Sequence, residues 1–237
     1  MNIKDNSILN IFTDGSILKK VSTGETIGCP GALIMSYESD KFKVINKAHL
    51  IVRNSTNNDT EIRSILLGID LAINYINKNN NVKKINLFSD SKICIFGLRE
   101  WIFKWINCVD NYILFSSSGN PVANQEIVKH IIQKIVYYNL PITFFHQKGH
   151  VSSKSKNSLD NALRVFNISN KCNIKNIEFI KMISEFNNEV DTFTKSYLRE
   201  YDTMINMFEK RSDKEINPFT RSLENINMSK YKNLIKG

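Results

Sequence analysis

The sequence contains no run of about 18 apolar residues, so no transmembrane helix is expected. Its N-terminus, MNIKDNSILN, has no basic segment leading into an apolar stretch, and no secretory signal is expected either. Close cysteine pairs are missing: Cys29, Cys94, Cys108 and Cys172 stand far apart, each in an apolar or mixed run. That pattern argues against a structural zinc site and reads as free, buried thiols in a reducing compartment such as the cytoplasm. Internal repeats are absent. Acidic residues are in deficit, 23 against 32 basic ones, which leaves a net charge of +9. A balance of this size favours a polyanionic partner, most often nucleic acid. It has a rival source, because abundant Ile, Asn and Lys is what an AT-rich genome produces.

What is present is an ordinary globular composition, 42% hydrophobic over 237 residues. That is enough for one core, or one domain with an appendage. Segments 8–14 (ILNIFTD), 26–37 and 41–52 read as three strands joined by short links, hence an antiparallel meander. A helix follows, capped by Asn58, with Ile62, Ile65, Leu66, Ile69, Ile73 and Ile76 on one face. The strand KINLFSD ends at Asp90. The next segment puts Ile95, Leu98, Ile102 and Trp105 on a helical face, and Ile127, Ile131 and Ile135 mark another helix. Pro141 opens a last strand, ITFFHQK. Strands reached by helical crossovers lie parallel to earlier ones, so the expectation is an α/β fold with a mixed five-stranded sheet flanked by helices. Beyond Val151 the pattern weakens into short amphipathic pieces, then a helix over 188–209, then a charged tail broken at Pro218. The expected division is a domain of residues 1–200, with a helical insert at 152–186, and a charged C-terminal extension at 201–237.

Four acids carry the chemical interest, and each has a plain alternative. Asp14 in IFTDGS is a turn residue or a ligand, since Asp-Gly is a strong turn signal. Asp90 in SDSK is a helix N-cap or a ligand. On neighbouring parallel strands the two would stand about 4.8 Å apart and repel, unless a cation bridged them. Glu61 completes a capping box with Asn58 or points at the strand ends. Asp191 is a solvated helix acid or part of the same cluster. His150, after Gly149, is an unremarkable loop histidine on its own.

In order along the chain, TDGS (13–16), TNNDTE (56–61), FSDS (88–91), REWIFKWI (99–106), GNPVAN (119–124), QKGH (147–150) and NNEVD (187–191) resemble the motifs of type 1 ribonuclease H. The resemblance implies the ribonuclease H-like fold. It also implies an endonuclease that cuts the RNA strand of an RNA/DNA hybrid, leaving 3′-hydroxyl and 5′-phosphate ends. It assigns Asp14, Glu61, Asp90 and Asp191 to two Mg²⁺ ions, with Mn²⁺ as a substitute, and His150 to proton transfer or product release. Gly15, Ser16, Asn57 and Asn58 match positions beside the RNA and the active site. Thr56, Trp101 and Asn124 match positions that contact the DNA strand. A carboxylate set without cysteine suits Mg²⁺, which prefers oxygen ligands. Selecting a hybrid requires reading 2′-hydroxyls on one strand.

Three features depart from the family pattern. The loop after TDGS is longer and lacks G-N-P-G. The segment from the tryptophans to GNPVAN is poor in Lys and Arg. About 35 residues separate His150 from Asn187, read as a helical cap beside the site or a projection into solvent. Rival readings are a nuclease of the same fold acting on DNA, of resolvase or integrase type, a binding module without catalysis, and a domain of a larger polymerase. Filled carboxylate positions argue against the binding module, and Met1 with the self-contained motif order favours a free-standing enzyme; the expected oligomeric state is a monomer.

Overall fold

The structure, a computed structural model, describes residues 3–20, 24–79, 81–110 and 113–211. Alternating apolar residues make β1 (Ile8–Lys19) a two-faced strand: Leu9 and Ile11 pack into one core, Phe12 into another. β2 (Thr26–Glu38) and β3 (Lys41–His49) complete the expected meander, and β4 (Val52–Arg53) pairs back onto β2. α1 (Asn57–Ile76) crosses over to β5 (Lys84–Ser89), which runs parallel to β1. α2 (Lys92–Phe96) passes through a π turn at Gly97–Trp101 into α3 (Ile102–Trp105). A small hairpin, β6 (Val109–Asp110) and β7 (Ile113–Leu114), precedes α4 (Gln125–Tyr137) and β8 (Ile142–His146), which is parallel to β5. α5 (Lys156–Asn170) and α6 (Ile177–Arg211) follow. The sheet order is β3-β2-β1-β5-β8 with β4 on β2, mixed as expected but six-stranded rather than five, because the segment expected as one strand over 41–52 divides into β3 and the short β4.

The sheet separates two apolar layers. On one side Ile11, Ile34, Leu87 and Ile95 pack with Ile65 and Ile69 of α1 and Ile131 of α4. On the other, Phe12, Leu33 and Phe88 pack with Phe166 of α5 and with Phe179, Ile183 and Val190 of α6. Phe12 and Phe88, opposite each other in register, stack at 4.9 Å, and the ladder continues through Phe145 to Phe166. In the same layer Asn86 donates to Asn10 across the strands, a buried polar pair that favours this register. The free edge of β8 is covered too. The Asn170 amide accepts from the His146 N–H at 3.0 Å and donates to the His146 carbonyl at 2.8 Å, as a neighbouring strand would.

Several sequence expectations change. β1 does not stop at Asp14 but continues to Lys19, because β2 keeps pairing with it as far as Thr26. Asp14 therefore sits inside a strand, opposite Gly31, and the long loop after TDGS is mostly hairpin. The cap of α1 is Thr56, not Asn58: its hydroxyl accepts from the Asp59 N–H, which makes Asp59 the acid of the first turn and frees Glu61 from a capping role. The segment 152–186 is neither a cap nor a projection. α5 and the first turns of α6 are the second apolar layer, and α6 starts at Ile177 as one continuous helix. Cys29 and Cys94 are buried as free thiols, but Cys172 is exposed, just past the left-handed Lys171 that ends α5. The Cys108 side chain lies outside the described residues.

Residues 1–198 form one unit and residues 199–237 a second. Of the second, residues 199–211 are described and helical. The charged tail with Pro218 lies outside the described residues. Among the described residues no helix is long and apolar enough to cross a membrane.

The layer supplied by residues 152–186 is testable through Phe166, which is 1% exposed and packed on Phe145 and Phe179. Phe166→Ala is expected to cost about 3–5 kcal/mol in urea unfolding. A loss below about 1 kcal/mol would mean that the segment is detachable.

Candidate active site

The register that pairs Phe12 with Phe88 and Thr13 with Ser89 carries Asp14 and Asp90 to the next step, where β5 has ended. With a side-chain period of two, both acids follow the stacked phenylalanines onto one face of the sheet. Glu61 arrives from α1 because β1 approaches the helix closely at Gly15. A Cβ there would lie 2.9 Å from the Glu61 nitrogen and from Thr60. The Gly15 N–H donates to Asp14 Oδ1 at 2.7 Å and also serves Glu61. Carboxylate oxygens of Asp14, Glu61 and Asp90 then lie within 4.8 Å of one another, a set that could hold a metal ion. Gly149 must be glycine for the same reason, since a Cβ would run into the Asp90 carboxylate.

α6 adds Asp191, whose Oδ2 is 2.7 Å from Lys195 Nζ and 4.0 Å from His150 Nδ1. A hydrogen bond of 2.7 Å between the hydroxyls of Ser16 and Thr194 ties β1 to this helix. Asp14, Glu61, Asp90, Asp191, His150 and Lys195 line one cleft of about 420 Å³. Gly15, Ser16, Asn57 and Asn58 complete its walls. Thr56 caps the helix that carries the two asparagines. The other predicted positions lie apart. Asn124, left-handed with φ 55°, lines a shallow apolar pocket shared with Asn58 and Trp105. Trp101 is absent from both pockets and packs on Phe96 and Trp105.

Crowding governs the electrostatics. Burial, then the charges of Asp90 and Asp191, push the Asp14 carboxyl up to about 8, against the pull of the Gly15 N–H and Lys195. Burial and then Asp14 and Asp90 hold the Glu61 carboxyl well above the ordinary carboxylate range. Asp90 is raised by burial, with His150 and a hydrogen bond from Asn187 opposing. Glu61 Oε2 is shut off from solvent and meets no hydrogen-bond donor among the described residues. A buried oxygen without a donor, in a set of hard carboxylate oxygens, fits a divalent cation.

Sequence reasoning passed over Lys195, Asn187 and Gln147. Lys195 had a signal, its i,i+4 spacing from Asp191. Asn187 was visible only as a motif letter. Gln147 is 1% exposed and donates to Asn187 Oδ1 at 2.7 Å, a contact 40 residues apart that no local pattern announces.

A sequence model of the family described as RNase H matches residues 6–164. A ribonuclease H of Haemophilus influenzae is 29% identical over 64% of this chain and 84% of its own length. A ribonuclease H of Ruthia magnifica is 28% identical over 63% of this chain and 88% of its own. Among solved structures, a foamy viral protease-reverse transcriptase in complex with double-stranded DNA shares the fold, with a TM-score of 0.50 and 14% identity over 70% of this chain and 96% of that one.

The raised acids fix the sign of a pH effect. A carboxyl whose pKa is higher in the folded chain stabilises the fold fully below its unfolded value of 3.8, and that contribution is lost as pH rises through about 8. Without divalent metal, the protein is expected to lose thermal stability from about pH 4 to 8. Asp14→Asn should flatten that decline and raise Tm at pH 8 by several degrees, at about 2–4 °C per kcal/mol for a chain of this size. Scanning calorimetry in EDTA checks it, and an unchanged or steeper decline in the variant would contradict it.

Proposed function

The chain belongs to the RNase H family of nucleases, and from that premise we propose that it hydrolyses the RNA strand of RNA/DNA hybrids with Mg²⁺, leaving 3′-hydroxyl and 5′-phosphate ends. The observation that carries this reading is the convergence of Asp14, Glu61 and Asp90 in a cleft closed by Asp191, with Glu61 Oε2 buried and lacking a donor. These four acids would hold two ions, for which Mn²⁺ is a substitute. Divalent cations in such a site supply the charge that offsets the scissile phosphate and eases ionisation of the attacking water.

The chain's own groups do the rest. Gly15 and Glu61 are locked by the close approach of β1 and α1, so the cleft wall is rigid where the RNA strand would lie. The Ser16 hydroxyl is taken up by Thr194, so this corner offers a ribose mainly backbone, with Asn57 and Asn58 beside it. That suits recognition of 2′-hydroxyls by shape and close contact rather than by base sequence. Lys195, 2.7 Å from Asp191 Oδ2, lines the same cleft, where its amine would meet a phosphate. His150, left-handed at φ 51° with a side chain 77% exposed, stands at the mouth of the cleft, where an imidazole can carry a proton between solvent and the departing 3′-oxygen. Thr56, Trp101 and Asn124 would meet the DNA strand on the α1 and α4 side. The net charge of +9 supplies sequence-independent affinity that weakens with salt. A reducing intracellular setting and a monomeric enzyme complete the proposal.

The test is cleavage of end-labelled RNA/DNA hybrid, duplex RNA and duplex DNA, with and without Mg²⁺. Cutting is expected of the RNA in the hybrid alone and only with metal. Asp90→Asn should lose more than the ~10²-fold that marks an indirect partner's loss. Cutting of DNA would favour the resolvase-type reading, and binding of hybrid without cutting the non-catalytic one.

A further inference from the structure

Asp90 is held from two consecutive residues at the end of β8, and neither belongs to the acid cluster. The His146 ring lies beside the Asp90 carbonyl, and its Nδ1 is 2.9 Å from Ser169 Oγ at the end of α5. The next residue, Gln147, donates its N–H to the Ser89 carbonyl at 3.0 Å, which docks it beside the strand that ends in Asp90. Its side chain then donates from Nε2 to Asn187 Oδ1 at 2.7 Å. An amide has one acceptor end and one donor end. With Oδ1 committed to Gln147, Asn187 must turn its NH₂ the other way, and there it meets the Asp90 carboxylate. Gln147 thus decides which end of Asn187 the acid sees.

The alternative is that Gln147 only fills space. It is a poor filler: its Oε1 is buried and finds no donor among the described residues. Methionine or leucine would fill the same volume without that stranded oxygen, but would leave the buried Asn187 Oδ1 without its donor, so packing alone does not select glutamine here. What glutamine supplies beyond volume is a fixed Asn187 amide, with its NH₂ toward the Asp90 carboxylate.

We infer that Gln147 is a positioning residue which, through Asn187, aims the Asp90 carboxylate, while His146, braced by α5, holds the Asp90 main chain. The inference rests on the reading of Asp90 as a metal-holding acid. It also gives segment 152–186 a part in the site, since Ser169 of α5 braces the His146 ring.

The experiment is a double-variant cycle on the full chain, with Q147M, N187A and the pair, read by kcat and KM on hybrid and by Mn²⁺ affinity in calorimetry without substrate. Q147M is expected to keep its KM within about twofold and its Tm within about 5 °C of the unaltered chain's, because the freed Asn187 Oδ1 offsets the relief of the stranded Oε1. Its kcat and Mn²⁺ affinity should fall about 10–100-fold, the range typical of losing a partner that orients a ligand. In the N187A background Q147M should add nothing, because its effect passes through Asn187. Effects that add in full, or kcat and Mn²⁺ affinity within twofold in Q147M, would overturn the inference. Q147L serves if Q147M does not fold. An inert D90N beside an unaffected Q147M removes this inference alone, whereas a D90N that cuts at the full rate removes the reading of the site beneath it.

Discussion

The register that stacks Phe12 on Phe88 also sets Asp14 beside Asp90, and the repulsion between these carboxylates is the constraint around which the cleft is built. Two acids side by side, one inside β1 and one just past the end of β5, would ordinarily splay into water. Here they cannot, because Glu61 descends from α1 onto the same spot and Asp191 closes the other side. The backbone leaves them no retreat: Gly15 and Gly149 are positions where one extra carbon would strike the helix backbone or an acid. Apolar packing on both faces of the sheet supplies the stability that such crowding opposes.

Compensation is partial, which is what a cation-holding site requires. The Gly15 N–H lowers the cost for Asp14 and Glu61, Lys195 for Asp14, and the Asn187 amide and His150 for Asp90, yet Glu61 Oε2 is left without a donor. Full satisfaction by protein groups would leave a metal nothing to bind. The same incomplete satisfaction makes the folded chain hold protons that the unfolded chain would release, so metal affinity, proton affinity and stability are linked.

Legibility in the sequence followed the range of the interactions. The antiparallel meander and the parallel later strands were readable because hydrophobic periodicity and connection length are local, and the four acids because each stands in a short motif. Asp14 was misread as the neighbour of a turn: Gly15 signals a turn locally, but its reason is the approach of Thr60 and Glu61, 45 residues away. Segment 152–186 read as an insert, a cap or a projection, because its apolar residues are diluted by Asn, Ser and Lys. Their partners, Phe12 and Phe88, are far off in the chain, and only the fold shows that they need a second cover. Gln147 and Asn187 stand in the QKGH and NNEVD motifs, but nothing local announces their pairing, since what matters is which end of one amide meets the other.

The central claim is that these acids are gathered for divalent cations and not as an accident of packing. Its most direct test is an anomalous difference map from crystals soaked in Mn²⁺. The account predicts a peak within coordination distance of Asp14, Glu61 and Asp90, lost in Asp14→Asn. A map featureless in this cleft at saturating Mn²⁺, with Lys195 still on Asp191, would contradict it.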